Sequence, residues 1–513
     1  MNGAESLIRT LTQGGVDACF MNPGTSEMHF VAALDLVREM RGIPCLFEGV
    51  ASGAADGYAR MAGRPASTLF HLGPGLSNAL ANMHNAGRAR VPMVNVVGEH
   101  ASFHRQYDAP LTSDIEAIAR PFSRWLRTAA SASDVGRDCA EAIAAARTAP
   151  GRIATLILPA DSAWNEGGRV ADVPSSPPPA AIEQSRVDRA ARALRNGKRT
   201  AVLFGAHLTE GESLVVGARI SAATDARLLA PFGFTRIARG AGRPNVTRIP
   251  YVVGDAIELL HEFDQLILVG AAPPAAFFGH PTRPSLVARE DCEIQTLAGP
   301  DEDCAGALAA LSDALHADTL KPQLQRAEHA ALPGGEITLA GLAAAVAALL
   351  PENAIVVDES VTSGRNMMAA TRGAPPHDWL VNTGGSIGIG LPMAVGAAVA
   401  CPDRSVLCLE ADGSAMYTLQ ALWTAARESL NITTVVFANR AYAILKGELA
   451  ALGGNPGPRA LDMLDIGRPD IDWVSLSQSL GIPARRAASL DEFAMALRRG
   501  FMSAGPNLIE IPL

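Results

Sequence analysis

Ser405-Val406-Leu407-Cys408-Leu409 runs into Glu410-Ala411-Asp412-Gly413-Ser414, and Thr433-Thr434-Val435-Val436-Phe437 runs into Ala438-Asn439-Arg440-Ala441-Tyr442. Each is a short apolar, β-branched run closed by turn-forming residues, the pattern of a buried strand. Between them Leu419, Leu422, Trp423 and Ala426 recur at helical spacing, so the stretch reads strand, turn, helix, strand. A helical crossover makes the two strands parallel. Asp412 and Asn439 then stand at the carboxyl ends of strands that can lie side by side, the edge where open α/β sheets gather ligands.

A carboxylate and an amide oxygen at such an edge suit magnesium, which prefers oxygen ligands and shares them with phosphates. A helix start at Gly413, with the Ser414 hydroxyl, suits diphosphate oxygens. Asp-Gly is also an ordinary turn pair and Asn439 an ordinary loop amide, so this stretch alone leaves both readings open.

The same alternation fills the chain. Ala18-Cys19-Phe20-Met21, Met93 to Val97 and Ala154 to Leu158 are strand candidates, as are Thr200 to Phe204, Leu266 to Val269 and Ala354 to Val357. Alanine-rich helical stretches separate them. Pro174-Ser175-Ser176-Pro177-Pro178-Pro179 can continue neither a helix nor a central strand, and Leu332-Pro333-Gly334-Gly335 is a second break. The expected fold class is therefore α/β, with three consecutive parallel-sheet domains at 1–173, 180–330 and 335–513.

Composition narrows the function. A net charge of −9 without a basic run argues against nucleic acid as a partner. Hydrophobic residues make up 48%, yet no run of about 18 apolar residues suggests a membrane span. Met1 to Ser6 lack the basic and apolar regions of a secretory signal. The seven cysteines are scattered, none in a Cys-x-x-Cys pair, which fits reduced thiols in a cytoplasmic protein and offers no thiolate metal site.

A second informative run starts at Glu48. It follows the apolar Ile43-Pro44-Cys45-Leu46-Phe47 and opens Gly49-Val50-Ala51-Ser52-Gly53-Ala54-Ala55-Asp56-Gly57-Tyr58-Ala59, a helix of small residues able to pack closely on neighbouring backbone. A carboxyl group between such elements is shielded from water. The plainer alternative is a solvated glutamate favoured by the helix dipole.

Taken together, these runs resemble the thiamine-diphosphate-dependent enzymes. The first is similar to their Gly-Asp-Gly…Asn-Asn motif, with about 27 residues between metal aspartate and asparagine, although Ala411 and Ala438 replace the leading glycine and asparagine. The second is similar to their Glu-x-x-x-x-x-x-Ala-Asp-Gly-Tyr-Ala pattern. The resemblance implies pyrimidine-binding, middle Rossmann-like and diphosphate-binding domains, in that order. It places magnesium on Asp412, Asn439 and the Ala441 carbonyl, and thiamine diphosphate among Glu48, Asn22, Pro23, Asn78, Thr362, Gly385, Ile387, Gly413, Ser414 and Tyr442. Glu48 would hydrogen-bond the aminopyrimidine and promote the tautomer that activates the thiazolium carbon; the hard chemistry belongs to the cofactor. Ile387, in Asn382-Thr383-Gly384-Gly385-Ser386-Ile387-Gly388, would prop the cofactor into its bent shape.

Within that family the chain looks closest to benzoylformate decarboxylase, with acetolactate synthase next. Asn22-Pro23-Gly24-Thr25-Ser26-Glu27 is similar to the decarboxylase's Asn-Pro-Gly-Ser-x-Glu, which implies that Ser26 meets the substrate carboxylate; a helix N-cap is its bland alternative. His71 falls where the decarboxylase has a proton-relay histidine, a role suited to imidazole near neutral pH. Pro110-Leu111-Thr112 follows the decarboxylase, whereas Gly73-Pro74-Gly75 looks like the synthase. His280 is offset from a second decarboxylase histidine and also reads as an exposed loop residue. Ile444 and Glu448 replace small and aromatic residues of a phenyl pocket. The resemblance implies a small 2-oxo acid as substrate and a site shared between subunits, hence at least a homodimer, with a homotetramer expected. A synthase-like carboligase, and a regulatory or nucleotide-binding protein with an inactive site, are the alternatives.

Overall fold

A computed structural model describes residues 1–205 and 208–513. The strands in chain order are β1 (Ala18–Met21), β2 (Arg41–Pro44), β3 (Ala66–Phe70), β4 (Met93–Glu99), β5 (Trp125–Thr128), β6 (Ile153–Pro159), β7 (Thr200–Phe204), β8 (Arg227–Ala230) and β9 (Ile237–Arg239). They continue as β10 (Thr247–Arg248), β11 (Gln265–Val269), β12 (Glu293–Ala298), β13 (Ile355–Glu359), β14 (His377–Val381), β15 (Val406–Ala411), β16 (Ile432–Ala438), β17 (Ala484–Arg486) and β18 (Asn507–Pro512). Three sheets result, ordered β2-β1-β3-β4-β6-β5, then β10-β8-β7-β11-β12, then β17-β18-β16-β15-β13-β14-β9. Pairing is parallel except at β9, which runs antiparallel to β14. The expected α/β class with parallel sheets is observed.

β9 crosses the sequence divisions, since a segment of the middle stretch completes the third sheet. Its Arg239 guanidinium lies over the Trp379 ring at 5.3 Å, covering what would otherwise be an exposed edge. The helix expected after Asp412 is also divided, into a single turn Asp412–Ala415 and a helix Gln420–Arg427. That helix buries Ala421, Leu422, Thr424 and Ala425, a face rotated from the expected one, while Trp423 sits under the Arg427 guanidinium. The apolar run before Glu48 is a strand only as far as Pro44.

Four helices matter for the site: α1 (Glu48–Ala62), α2 (Leu72–Ala89), α3 (Gly390–Ala400) and α4 (Ala443–Ala451). α1 and α3 cross backbone to backbone. A Cβ added to Gly57 would lie 2.1 Å from the Met393 carbonyl oxygen, and one added to Gly396 1.8 Å from that of Ala54. Small residues make this approach possible, so the first and third sheets share one continuous core. The Asp56 carboxylate receives two hydrogen bonds from Arg60, at 2.6 and 2.8 Å, and both side chains are fully buried. Arg60 also donates to the Thr235 and Val381 carbonyls and to the Thr383 hydroxyl. One bidentate pair thus ties all three parts of the chain together. All seven cysteines are free, and burial pushes the Cys19 and Cys45 thiols up to about 12. Among the described residues no helix is long and apolar enough to cross a membrane.

Candidate active site

Glu48 opens α1 directly after Phe47, whose extended backbone (φ −160°) turns the chain from strand to helix. The carboxylate is 5% exposed and held by two side-chain amides: Asn22 Nδ2 donates to Oε1 at 3.1 Å and Asn78 Nδ2 to Oε2 at 3.0 Å. Asn22 follows β1 and Asn78 is on α2, so elements on both sides fix the group. A Cβ at Gly75 would come within 3.1 Å of Oε1, and glycine leaves that approach open. The shielding expected from sequence is present.

His71 caps the amino end of α2, and its Nδ1 lies 2.8 Å from Glu27 Oε2. The same carboxylate oxygen accepts the Gly24 N–H at 2.7 Å, and the imidazole packs on Gly24, where a Cβ would sit 2.2 Å from Nδ1. Glu27 is 2% exposed, and its other oxygen, Oε1, is buried without a partner. Burial pushes its carboxyl upward, opposed by the His71 charge and the Gly24 N–H. The Asn-Pro-Gly run that bears Ser26 also carries this glutamate. Ser26 lies inside the turn Thr25–Glu27, whose N-cap is Gly24, so the capping alternative does not describe it. Pro23 is exposed beside it.

The glycine loop is clamped from two directions. Asn382 Nδ2 and the Gly388 and Gly390 N–H groups donate to Glu359 at 2.9, 3.1 and 2.7 Å. From α2, Asn82 donates to the Gly388 carbonyl at 3.3 Å and Asn85 to that of Ser386 at 2.8 Å, on either side of Ile387. Asn78, Asn82 and Asn85 stand at i, i+4 and i+7 on one helix, so a single face holds both Glu48 and the loop. That spacing is the signal by which Asn82 and Asn85 could have been found. Glu359 carries no comparable mark in the sequence. Its carboxyl is pushed up to about 7, chiefly by burial.

At the third sheet, β15 and β16 pair with Ala411 opposite Phe437, which brings Asp412 beside the turn after Ala438. Asp412 is 3% exposed; its Oδ2 accepts the Arg440 N–H at 2.7 Å and its Oδ1 the Gly413 N–H at 2.8 Å. Asn439 Oδ1 accepts the Ala441 N–H at 3.0 Å, and the Ala441 carbonyl accepts the Ala443 N–H at 2.8 Å. Burial pushes the Asp412 carboxyl upward, while Arg440, the cation near it, is engaged by Asp470 at 2.8 Å. A buried carboxylate without a cationic side chain of its own, next to an amide and a carbonyl oxygen, is a donor set that fits a hard divalent cation. Among the described residues no group of three or more His, Cys, Asp or Glu forms a metal site, but this set contains one carboxylate only. Tyr442 packs on Gly413, its ring carbon 2.8 Å from where a Cβ would be, and is hydrogen-bonded to Tyr417. Ser414 departs from expectation: it is buried, and its hydroxyl donates inward to Glu410 and to the Ala411 carbonyl.

Three of the nine non-glycine residues with positive φ among the described residues fall beside these groups. Leu72 (φ 49°), Val361 (φ 50°) and Arg440 (φ 56°) are non-glycine residues in the left-handed region, and they adjoin His71, Thr362 and Asn439. Such conformations cost about 1–3 kcal/mol each and gather where surrounding structure enforces a functional geometry. His280 is bonded to the Ala451 carbonyl at 2.9 Å, at the carboxyl end of α4.

Comparison with known proteins gives the family. The thiamine pyrophosphate enzyme N-terminal TPP binding domain matches residues 1–118, and the C-terminal TPP binding domain matches residues 362–511. The chain belongs to the thiamine pyrophosphate enzymes, within the group of decarboxylases and acetolactate synthases. It is 53% identical to IlvX of Mycobacterium tuberculosis, whose name places it provisionally among acetolactate synthase large subunits, over 100% of this chain and 99% of that one. It is 27% identical to the benzoylformate decarboxylase of Pseudomonas aeruginosa, over 98% and 97%. The fold is that of the 4-hydroxybenzoylformate decarboxylase of Rhodococcus jostii RHA1, with a TM-score of 0.84 at 23% identity, covering 99% and 98% of the two chains.

Proposed function

We propose that the chain is a thiamine-diphosphate- and magnesium-dependent decarboxylase of 2-oxo acids. The supporting observation is the Glu27–His71 pair set beside the carboxylate of Glu48, which two amides hold. When bound, thiamine diphosphate supplies the nucleophilic carbon and the electron sink for the departing carbon dioxide. The protein's part is positioning and proton handling. Glu48 presents its carboxyl to the aminopyrimidine, Ser26 orients the substrate carboxylate, and His71 carries protons to and from the reacting carbon. Asn22, Pro23, Asn78, Thr362, Gly385 and Ile387 shape the cofactor's seat. Asp412, Asn439 and the Ala441 carbonyl hold magnesium, with Gly413 and Tyr442 around the diphosphate.

The three sheets are read as pyrimidine-binding (1–173), middle (180–330) and diphosphate-binding (335–513) domains. The site is read as shared between subunits, in a homodimer at least and a homotetramer by preference, with a cytoplasmic setting for the reduced thiols. The test is release of carbon dioxide from a panel of 2-oxo acids with thiamine diphosphate and magnesium. No release from any of them overturns the reading. A carboligase of the acetolactate synthase type is the second reading, favoured by the 53% identity to IlvX; pyruvate then yields acetolactate rather than aldehyde.

A further inference from the structure

The turn that carries Asn439 is strapped down by a later segment. Ala441 pairs antiparallel with Asp465; the Tyr442 N–H donates to the Leu464 carbonyl at 2.9 Å and the Ile466 N–H to the Arg440 carbonyl at 3.0 Å. Ile466 reaches over Gly413, its Cδ1 3.5 Å from where a Cβ would be. Segment 464–470 therefore lies against both turns of the set read as holding magnesium.

Arg440 sits awkwardly in this arrangement. Its backbone N–H donates to Asp412 Oδ2 at 2.7 Å, from a left-handed conformation (φ 56°), and it is the basic residue whose charge is felt at Asp412. A guanidinium rooted there, if unheld, can swing to the carboxylate beside its own N–H. Asp412 is 3% exposed, so water screens its charge poorly and it draws any cation within reach. A guanidinium meets a carboxylate fork to fork and takes the same oxygens that a metal needs.

The Arg440 side chain is led elsewhere. Its stem lies along Gly467, with Cβ and Cδ 3.1 and 3.4 Å from where a Cβ would stand there. Its Nε donates to Asp470 Oδ1 at 2.8 Å. The two side chains are 40% and 48% exposed, and a pair so open to water adds little to stability. Its consequence is where it puts the charge. Arg468, the other cation of the segment, is taken by Asp465 at 3.0 Å and by Asp462.

We propose that Asp470 is a positioning residue that holds the Arg440 guanidinium off Asp412 and so keeps that carboxylate open to magnesium. This rests on the magnesium reading of Asp412 but not on the decarboxylase reading. Without Asp470, Arg440 becomes an internal competitor for the metal. A site left open only a tenth of the time loses about tenfold in apparent affinity.

The test is calorimetric titration of the full chain with thiamine diphosphate at a series of magnesium concentrations, with no substrate present. Asp470→Asn should raise the magnesium needed for half-maximal binding about tenfold. Arg440→Gln keeps the stem on Gly467 and removes the charge. Added to Asp470→Asn, it should restore the magnesium requirement to within about twofold of wild type. An unchanged requirement in Asp470→Asn overturns the proposal. A double variant as weak as Asp470→Asn also overturns it, because a segment loosened for structural reasons would not be rescued by removing a charge. Should Asp470→Asn fail to fold, Asp470→Ser takes its place in the same comparison. Wild-type binding that needs no magnesium brings down the metal reading and this proposal together, whereas magnesium-dependent binding that Asp470→Asn leaves intact brings down the proposal alone.

Discussion

Glu27 Oε2 and His71 Nδ1 lie 2.8 Å apart, with the Gly24 N–H donating to the same oxygen. That oxygen already accepts the Gly24 N–H, and as an acceptor toward His71 too it takes the hydrogen from Nδ1, which leaves Nε2 for a substrate. Gln in place of Glu27 can donate as well as accept and no longer fixes that tautomer. Glu27→Gln is expected to lower kcat/KM by about tenfold to a hundredfold and to alter its pH profile. An unchanged profile would show that Glu27 only fills space.

The division of labour between Glu48 and Asp412 can be tested by mixing subunits. If each site takes Glu48 from one chain and Asp412 from its partner, Glu48→Ala and Asp412→Ala are each inactive alone. After co-refolding, half the dimers are mixed and one of their two sites is intact, giving about a quarter of wild-type activity. Sites built within one chain would recover nothing.

Asp412 is the one carboxylate in the set read as holding magnesium. Asp412→Asn keeps the shape and removes the charge, so thiamine diphosphate binding in magnesium is expected to weaken by roughly tenfold to a hundredfold. Calorimetry with and without a chelator measures this. Wild-type protein that binds equally well in the chelator would remove the metal from the account.

Much of this site was legible because strands and turns announce themselves locally. Asp412 and Asn439 each follow a β-branched run, and the register of β15 with β16 brings them together as the spacing implied. Glu48 was legible from the small-residue helix it opens. What the sequence could not tell was partnership across space: Glu27 with His71, Asn82 and Asn85 with the glycine loop, Arg60 with three carbonyl and hydroxyl groups of other segments. β9 was missed because its three residues become a strand only by lying against β14. The Ser414 hydroxyl turns from the expected diphosphate to the buried Glu410 beneath it, a partner that nothing local reveals.

Glu359 makes stability depend on pH. Its folded pKa, about 7, lies above the ordinary glutamate value because the carboxyl is buried. The stabilisation is complete below the unfolded value near ~4.3 and is lost as pH rises toward 7, at up to ~1.4 kcal/mol per pH unit. Gln cannot titrate. Although Glu359→Gln is less stable at pH 5, where it lacks acceptors for the loop, its deficit in melting temperature should narrow by pH 7.5. Parallel curves across that range would exclude Glu359 as the titrating group.

Packing of α1 on α3 gives the last prediction. Gly396 approaches Ala54 so closely that an added methyl would stand 1.8 Å from its carbonyl oxygen and 2.6 Å from the Tyr58 N–H nitrogen. Both are backbone atoms of α1, so no side chain can rotate away and the helices must separate. Such overpacking typically costs about 1–3 kcal/mol. The displacement would be felt at both ends of the site, because Glu48 opens α1 and the glycine loop leads into α3. Gly396→Ala should therefore lower the melting temperature by several degrees and weaken thiamine diphosphate binding together. Gly447→Ala, on α4, where an added Cβ meets nothing within 4 Å, is the control and should leave the melting temperature within about a degree of wild type. Equal melting temperatures for the two variants would mean that close helix contact is not what joins the first and third sheets.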